Sequence, residues 1–139
     1  MCDRPPSCPE VDLLPLLDHV QIAAPPGCEA AARRFFGDLL GLPELPKADA
    51  GASLGGCWFG TGSLAVHVGV DPDFRPAKKA HIALRVHDTG ALQALAGRLE
   101  AAGHPVRWDA RLPGVRRFFT ADPGGTRTEV LAVVAPGEQ

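Results

Sequence analysis

The chain has 139 residues, of which 45% are hydrophobic and 22% charged, and its formal net charge is -2. This size and composition predict one globular domain, or two small modules that share a core. The slightly negative charge argues against binding to nucleic acid, and no apolar run is long enough to cross a membrane. The four cysteines, Cys2, Cys8, Cys28 and Cys57, lack metal-site spacing. We therefore expect reduced thiols and a cytoplasmic protein.

The first half of the chain predicts a strand, a helix and further strands. The segment LDHVQIA alternates apolar and polar residues, which is typical of a strand with one buried face. Apolar residues then recur three and four apart until Gly41 and Pro43, which predicts a helix that ends there. Residues 44–70 contain the strand-like segments GCWFG and SLAVHVGV, joined by a turn at Thr61 and Gly62.

The second half repeats this order of predicted elements. AHIALRV is a predicted strand, Asp88 or Thr89 can cap a helix that ends at Gly103, and VRWDA, VRRFFTAD and TRTEVLAVV are predicted strands. The expected fold class is α+β, with two βαβββ modules. We expect a Pro-rich tail at residues 1–15 and one domain over residues 16–134. Its modules cover about 16–72 and 78–134, and residues 135–139 form a second tail.

One constant sequence offset relates the two halves. The offset that carries Gly62 onto Gly124 also carries the helix-ending Gly41 onto Gly103. The apolar faces of the two predicted helices do not superpose at this offset. We therefore expect a small slip within the helical segments.

Four polar residues occupy repeat-related positions: His19, His67, His81 and Glu129. The separation from His19 to His67 in the first half equals the separation from His81 to Glu129 in the second. Strand alternation places their apolar neighbours under the helices and the polar groups on the opposite face. If a pseudo-two-fold axis relates the modules, the four side chains converge as a ligand set for a divalent transition metal. The alternative is that each is an ordinary polar residue on a solvated face.

Three other residues are candidates for contact with a small-molecule substrate. One of the adjacent pair Arg116 and Arg117 must face inward, and a guanidinium suits a carboxylate or phosphate. Trp58 is a second candidate, although a large aromatic residue is more often part of a core. The basic residues at 75, 78 and 79 are interpreted as solvated surface.

The segments LDHVQIA, FFGDLLGL, AHIALRV and DPGGTRTEVL together resemble the vicinal oxygen chelate superfamily. That superfamily includes glyoxalase I, bleomycin- and fosfomycin-resistance proteins and extradiol dioxygenases. The resemblance covers roughly residues 16–134, with Thr126 standing where the family often has asparagine. It implies that the paired βαβββ modules form an incomplete barrel around a metal, with the helices on its outer face. It also implies that modules pair within a chain or across a homodimer, and we expect a homodimer.

The resemblance also implies roles for the four polar residues. His19 resembles the first-strand ligand, His81 the second-module ligand, and Glu129 the final carboxylate ligand and catalytic group. His67 stands where glyoxalase-like members often carry glutamate, so the ligand set is either all four residues or a two-histidine, one-carboxylate triad without His67.

Two functions follow from the resemblance. The first is a metal-dependent enzyme with one divalent ion per site, Fe, Ni, Mn or Zn. It would chelate a small oxygen-bearing substrate for lyase, isomerase or dioxygenase chemistry. The alternative is a metal-free protein that binds or sequesters a small molecule, as bleomycin-resistance proteins do.

Overall fold

The computed structural model describes residues 15–47 and 55–138. Cys2, Cys8 and nearly all of the expected N-terminal tail lie outside these ranges. The elements, in chain order, are β1 (Val20–Ala24), α1 (Glu29–Ala32), a π-helical segment (Arg33–Leu39), β2 (Glu44–Leu45), β3 (Cys57–Thr61), β4 (Leu64–Val70), β5 (Ile82–Arg85), α2 (Thr89–Ala101), β6 (Arg107–Asp109), β7 (Val115–Ala121) and β8 (Arg127–Val133).

The strands form two four-stranded mixed sheets with the same topology. Their orders are β1-β4-β3-β2 and β5-β8-β7-β6. In each sheet the first and last strands of the module are parallel, and the other pairs are antiparallel. Gln21 pairs with His67 and Ala83 pairs with Glu129, so the repeat offset relates equivalent ladder positions. The predicted fold of two βαβββ modules is therefore confirmed, and the described strands do not close into a barrel.

Buried residues of both modules form one hydrophobic core. Val66 and Val68 of β4 and Val130 of β8 are at most 3% exposed, as strand alternation predicts. They belong to one cluster with Phe35 from the π-helical segment and Leu92 from α2. The helical layers also touch directly, because Arg98 donates a hydrogen bond to the carbonyl of Leu39 at 3.0 Å. The shared core thus fixes the position of one module relative to the other.

The expected slip between the modules lies in their helices. Leu39 and Leu99 are both buried near the ends of the two helices, and Gly41 and Gly103 follow them. The sequence separation between the two leucines is slightly smaller than that between the two glycines. Both glycines have positive φ, +77° and +85°, a conformation that favours glycine at the end of a helix. The first module also differs in its wider π-helical turns, such as the bond from the amide of Leu40 to the carbonyl of Phe35.

Two details of the strands differ from the sequence pattern. His19 and His81 lie directly before β1 and β5 rather than within them. Strand β2 consists of Glu44 and Leu45 alone, too short to produce a visible alternation. Among the described residues, no helix combines the length and apolar character needed to span a membrane.

Candidate metal centre

The first module brings three aromatic rings into one stack. The ring of His67, on β4, lies 4.1 Å from the ring of His19, with 17° between their planes. On its other side, His67 lies 4.1 Å from Trp58 of β3, with only 6° between the planes. Trp58 and His67 are paired in the ladder, which places both on the face opposite the core. Trp58, a candidate for contact with a substrate, thus forms one end of this three-ring stack.

The second module places a histidine against a buried carboxylate. Nε2 of His81 lies 3.0 Å from Oε2 of Glu129, and the side chains are 27% and 7% exposed. Glu129 lies on β8 between buried Thr128 and Val130, on the opposite face of the sheet from Val130. The histidine directly before the first strand and the carboxylate on the last strand are therefore in direct contact in this module.

The hydrogen bonding of His81 defines what its other nitrogen can do. Nδ1 lies 2.9 Å from the backbone carbonyl oxygen of Lys79, which can only accept, so Nδ1 carries a hydrogen. In the neutral ring, Nε2 then presents a lone pair toward the acceptor oxygen of Glu129. Two acceptors at 3.0 Å repel each other unless a cation, a proton or a metal ion, binds both. This pair is therefore arranged to hold a cation.

Arg117 and Asp109 support Glu129 from the other side. Nη1 of Arg117 donates to Oε1 of Glu129 at 3.1 Å, and its Nε and Nη2 donate to Oδ1 of Asp109 at 3.4 and 3.3 Å. The hydrogen bond to Glu129 raises the pKa of Arg117. Hydrogen bonds from Arg111 hold the pKa of the Asp109 carboxyl well below its usual range. Arg117 and Asp109 are thus both charged at neutral pH, and Arg117 holds Glu129 by one oxygen only.

The chain keeps the two donor pairs apart. Among residues 15–47 and 55–138, no group of three histidine, cysteine or acidic side chains is close enough to hold a metal ion. His19 and His67 form one pair, and His81 and Glu129 form the other. The four side chains, all within the described residues, therefore do not show the expected convergence within one chain.

The donor atoms nevertheless fit a divalent metal. Two donors each about 2.1 Å from an octahedral ion are about 3.0 Å apart. Nε2 of His81 and Oε2 of Glu129 are 3.0 Å apart. Metal-binding histidines usually donate their second nitrogen to an oxygen. His81 does so to Lys79, and Nδ1 of His19 lies 2.7 Å from Oδ1 of Asp18.

The stack separates His67 from the other donors. An imidazole nitrogen directs its lone pair within the plane of the ring. The rings of His19 and His67 are nearly parallel and 4.1 Å apart, so their lone pairs run alongside one another and do not converge. His67 therefore lies as a flat support against the ring of His19 and is not placed to share an ion with it within one chain.

Replacing His67 with phenylalanine tests this assignment. Phenylalanine keeps a flat ring between Trp58 and His19 but has no nitrogen, so we expect metal affinity within about threefold of the parent. His19→Gln serves as the comparison and should lower the affinity at least about tenfold. Competition with a chromophoric chelator measures both values. A tenfold or larger loss in His67→Phe would show that His67 is a ligand.

The adjacent arginines of β7 separate as strand alternation requires. Arg117 lies on the face of Glu129 and is committed to Glu129 and Asp109. Arg116 lies on the opposite face, with its guanidinium 5.4 Å from the ring centre of Trp108. The structure thus brings Arg117, but not Arg116, to the donor pair. Asp109 went unnoticed in the sequence because it contacts Arg117 only through the pairing of β6 with β7.

The chain has two paired βαβββ modules, each with a histidine just before its first strand, and the last strand of the second module carries a carboxylate. These features are typical of the vicinal oxygen chelate class. Solved structures support the same classification. A glyoxalase family protein from Bacillus anthracis has 40% identity and a TM-score of 0.78, over 86% of this chain and 96% of that one. This chain belongs to the glyoxalase family within the vicinal oxygen chelate superfamily. No protein-family model matches the sequence, and no curated protein matches it.

Two more distant structures share the fold. A glyoxalase/dioxygenase from Nostoc punctiforme has 19% identity and a TM-score of 0.73, with coverage of 94% of this chain and 99% of that one. A mutant of the fosfomycin resistance protein FosX from Listeria monocytogenes, complexed with Mn(II) and 1S,2S-dihydroxypropylphosphonic acid, has 16% identity and a TM-score of 0.73. That match covers 89% of this chain and 96% of that one.

Proposed function

We propose that this protein is a metal-dependent enzyme that chelates a small, oxygen-bearing organic substrate, with lyase, isomerase or dioxygenase chemistry. The observation that carries the proposal is the pair of His81 and Glu129, whose facing acceptor atoms lie 3.0 Å apart. Family membership and the Mn(II) bound by FosX support a divalent ion, of Mn, Fe, Ni or Zn.

We further propose that a homodimer completes the site. Each chain holds His19 on one sheet and the pair of His81 and Glu129 on the other, with no third ligand beside either among the described residues. Pairing the first module of one protomer with the second module of its partner would bring His19 to that pair. A two-fold axis would generate two identical sites per dimer.

The residues of the chain suggest a division of roles. A bound divalent ion supplies Lewis-acid polarisation of substrate oxygen atoms. Arg117 holds Oε1 of Glu129, which leaves Oε2 as the atom that binds the ion or accepts a proton from the substrate. Asp109 fixes Arg117 and thereby the direction of the carboxylate. The stack of Trp58, His67 and His19 restricts the histidine ring.

Metal titration and sedimentation test the proposal together. Protein stripped with chelator and titrated with Mn²⁺, Fe²⁺, Ni²⁺ or Zn²⁺ should bind one ion per chain of at least one metal, and should sediment at twice the 14.6 kDa of one chain. A protein that binds none of the four ions would instead be a metal-free small-molecule binder. A monomer at micromolar concentration would contradict the shared site.

A further inference from the structure

A basic pocket lies beside the buried pair, at the end of the second sheet where β8 begins. Its volume is about 440 Å³, and its lining includes Lys78, Arg107 and Arg127 but no aspartate or glutamate. Three cations around one pocket, without a carboxylate, create a positive potential that attracts anions.

No carboxylate of the described residues neutralises these three cations. Within the part of the chain that the structure describes, every ion pair involves other residues, so Lys78, Arg107 and Arg127 have no carboxylate partner. Nε of Arg127 is buried and has no hydrogen-bond acceptor among the described residues. Arg117, on the same sheet, is by contrast fully engaged by Glu129 and Asp109. The Nε of Arg127 is shielded from solvent, whereas its two Nη groups form no hydrogen bond with the described residues and are the donors that a ligand in the pocket would meet.

The pocket and the buried pair share a wall. Phe119, which lines the pocket, lies beneath the guanidinium of Arg127, 3.8 Å from its ring centre. The same ring makes a T-shaped contact with His81, with 5.8 Å between ring centres. Arg127 and Glu129 are also next but one to each other on β8, which puts both on one face about 7 Å apart. The pocket thus lies next to the buried pair, with the ring of Phe119 in contact with both Arg127 and His81.

We propose that this pocket binds an oxyanion group, a carboxylate or a phosphate or phosphonate, of the small-molecule substrate. The guanidinium of Arg127 offers a planar fork of donors that matches such a group, and Lys78 and Arg107 add charge. The claim that this oxyanion belongs to a substrate rests on the proposed function. Anion binding itself needs no metal, so the two proposals can fail separately.

A calorimetric titration tests the pocket. Chelator-treated protein is titrated with inorganic phosphate at low ionic strength, and the heat of binding gives the affinity. We expect Arg127→Gln to weaken phosphate binding by about tenfold, and Arg127→Lys to lose less because it keeps the charge. Arg34→Gln is the matched control, since Arg34 is exposed on the π-helical segment and makes no ion pair with the described residues. It should bind phosphate as the parent does.

Two further arms make the outcome decisive. Arg107→Gln removes a charge from an exposed side chain, so it tests the pocket even if Arg127→Gln unfolds; we expect a severalfold loss. A parallel titration with acetate distinguishes the two anion classes, because the tighter-binding probe identifies the preferred group. A parent that binds neither anion, or phosphate binding that is equal in the parent and the pocket variants, would overturn the proposal, whatever the metal titration gives.

Discussion

Replacing Glu129 with glutamine should lower metal affinity at least about tenfold while the fold stays intact. The amide fits the hydrogen bonds of the site, because its oxygen can accept from Arg117 and its NH₂ group can donate to Nε2 of His81. That donation would occupy the lone pair of His81 that a metal needs. The loss of negative charge weakens the site further. Val130, which is fully buried beside Glu129, is unchanged.

Metal content after identical dialysis and thermal melting of variant and parent measure both expectations. Glu100→Gln is the matched control, since Glu100 is an exposed carboxylate on α2. It should keep the metal affinity of the parent. Equal metal occupancy in Glu129→Gln and the parent would mean that Glu129 is only a structural carboxylate held by Arg117.

Mixing two defective protomers should restore metal binding. His19→Gln and Glu129→Gln each damage both sites of their own homodimer if the site spans two protomers. In a mixed dimer, one site combines both substitutions, and the other retains His19, His81 and Glu129. We therefore expect about one ion per mixed dimer. The homodimer of either single variant should bind little or none.

Co-expression with two affinity tags and sequential purification isolate the mixed dimer, and metal analysis gives its stoichiometry. The result separates the two possible arrangements of the modules. If the ligands came together within one chain, each protomer of the mixed dimer would carry its own defect, and mixing would restore nothing. Such a result would place the site within the chain and contradict the dimeric site.

Much of the fold could be predicted because local pattern and repeat agreed. Alternation in β4 and β8 identified Val66, Val68 and Val130 as core residues, and they are buried. The constant offset between the halves identified His67 and Glu129 as equivalent, and the strand registers confirm this. These features depend on residues close in sequence or on the repeat itself.

The remaining features depend on contacts between distant residues. No local pattern shows that His67 lies between two rings, because Trp58 comes from the neighbouring strand β3 and His19 from the residues directly before β1. The link from Asp109 through Arg117 to Glu129 crosses three strands. The separation of the two donor pairs depends on how the modules pack, and strand parity carries no information about that packing.

The separation of the donor pairs onto two sheets has a thermodynamic consequence for the proposed dimer. When an ion needs ligands from two chains, ion binding and self-association share one coupling free energy. Each must then strengthen the other by the same factor. In the proposed dimer, the apparent affinity for the metal would depend on protein concentration, and the supply of the metal would in turn change the population of the dimer.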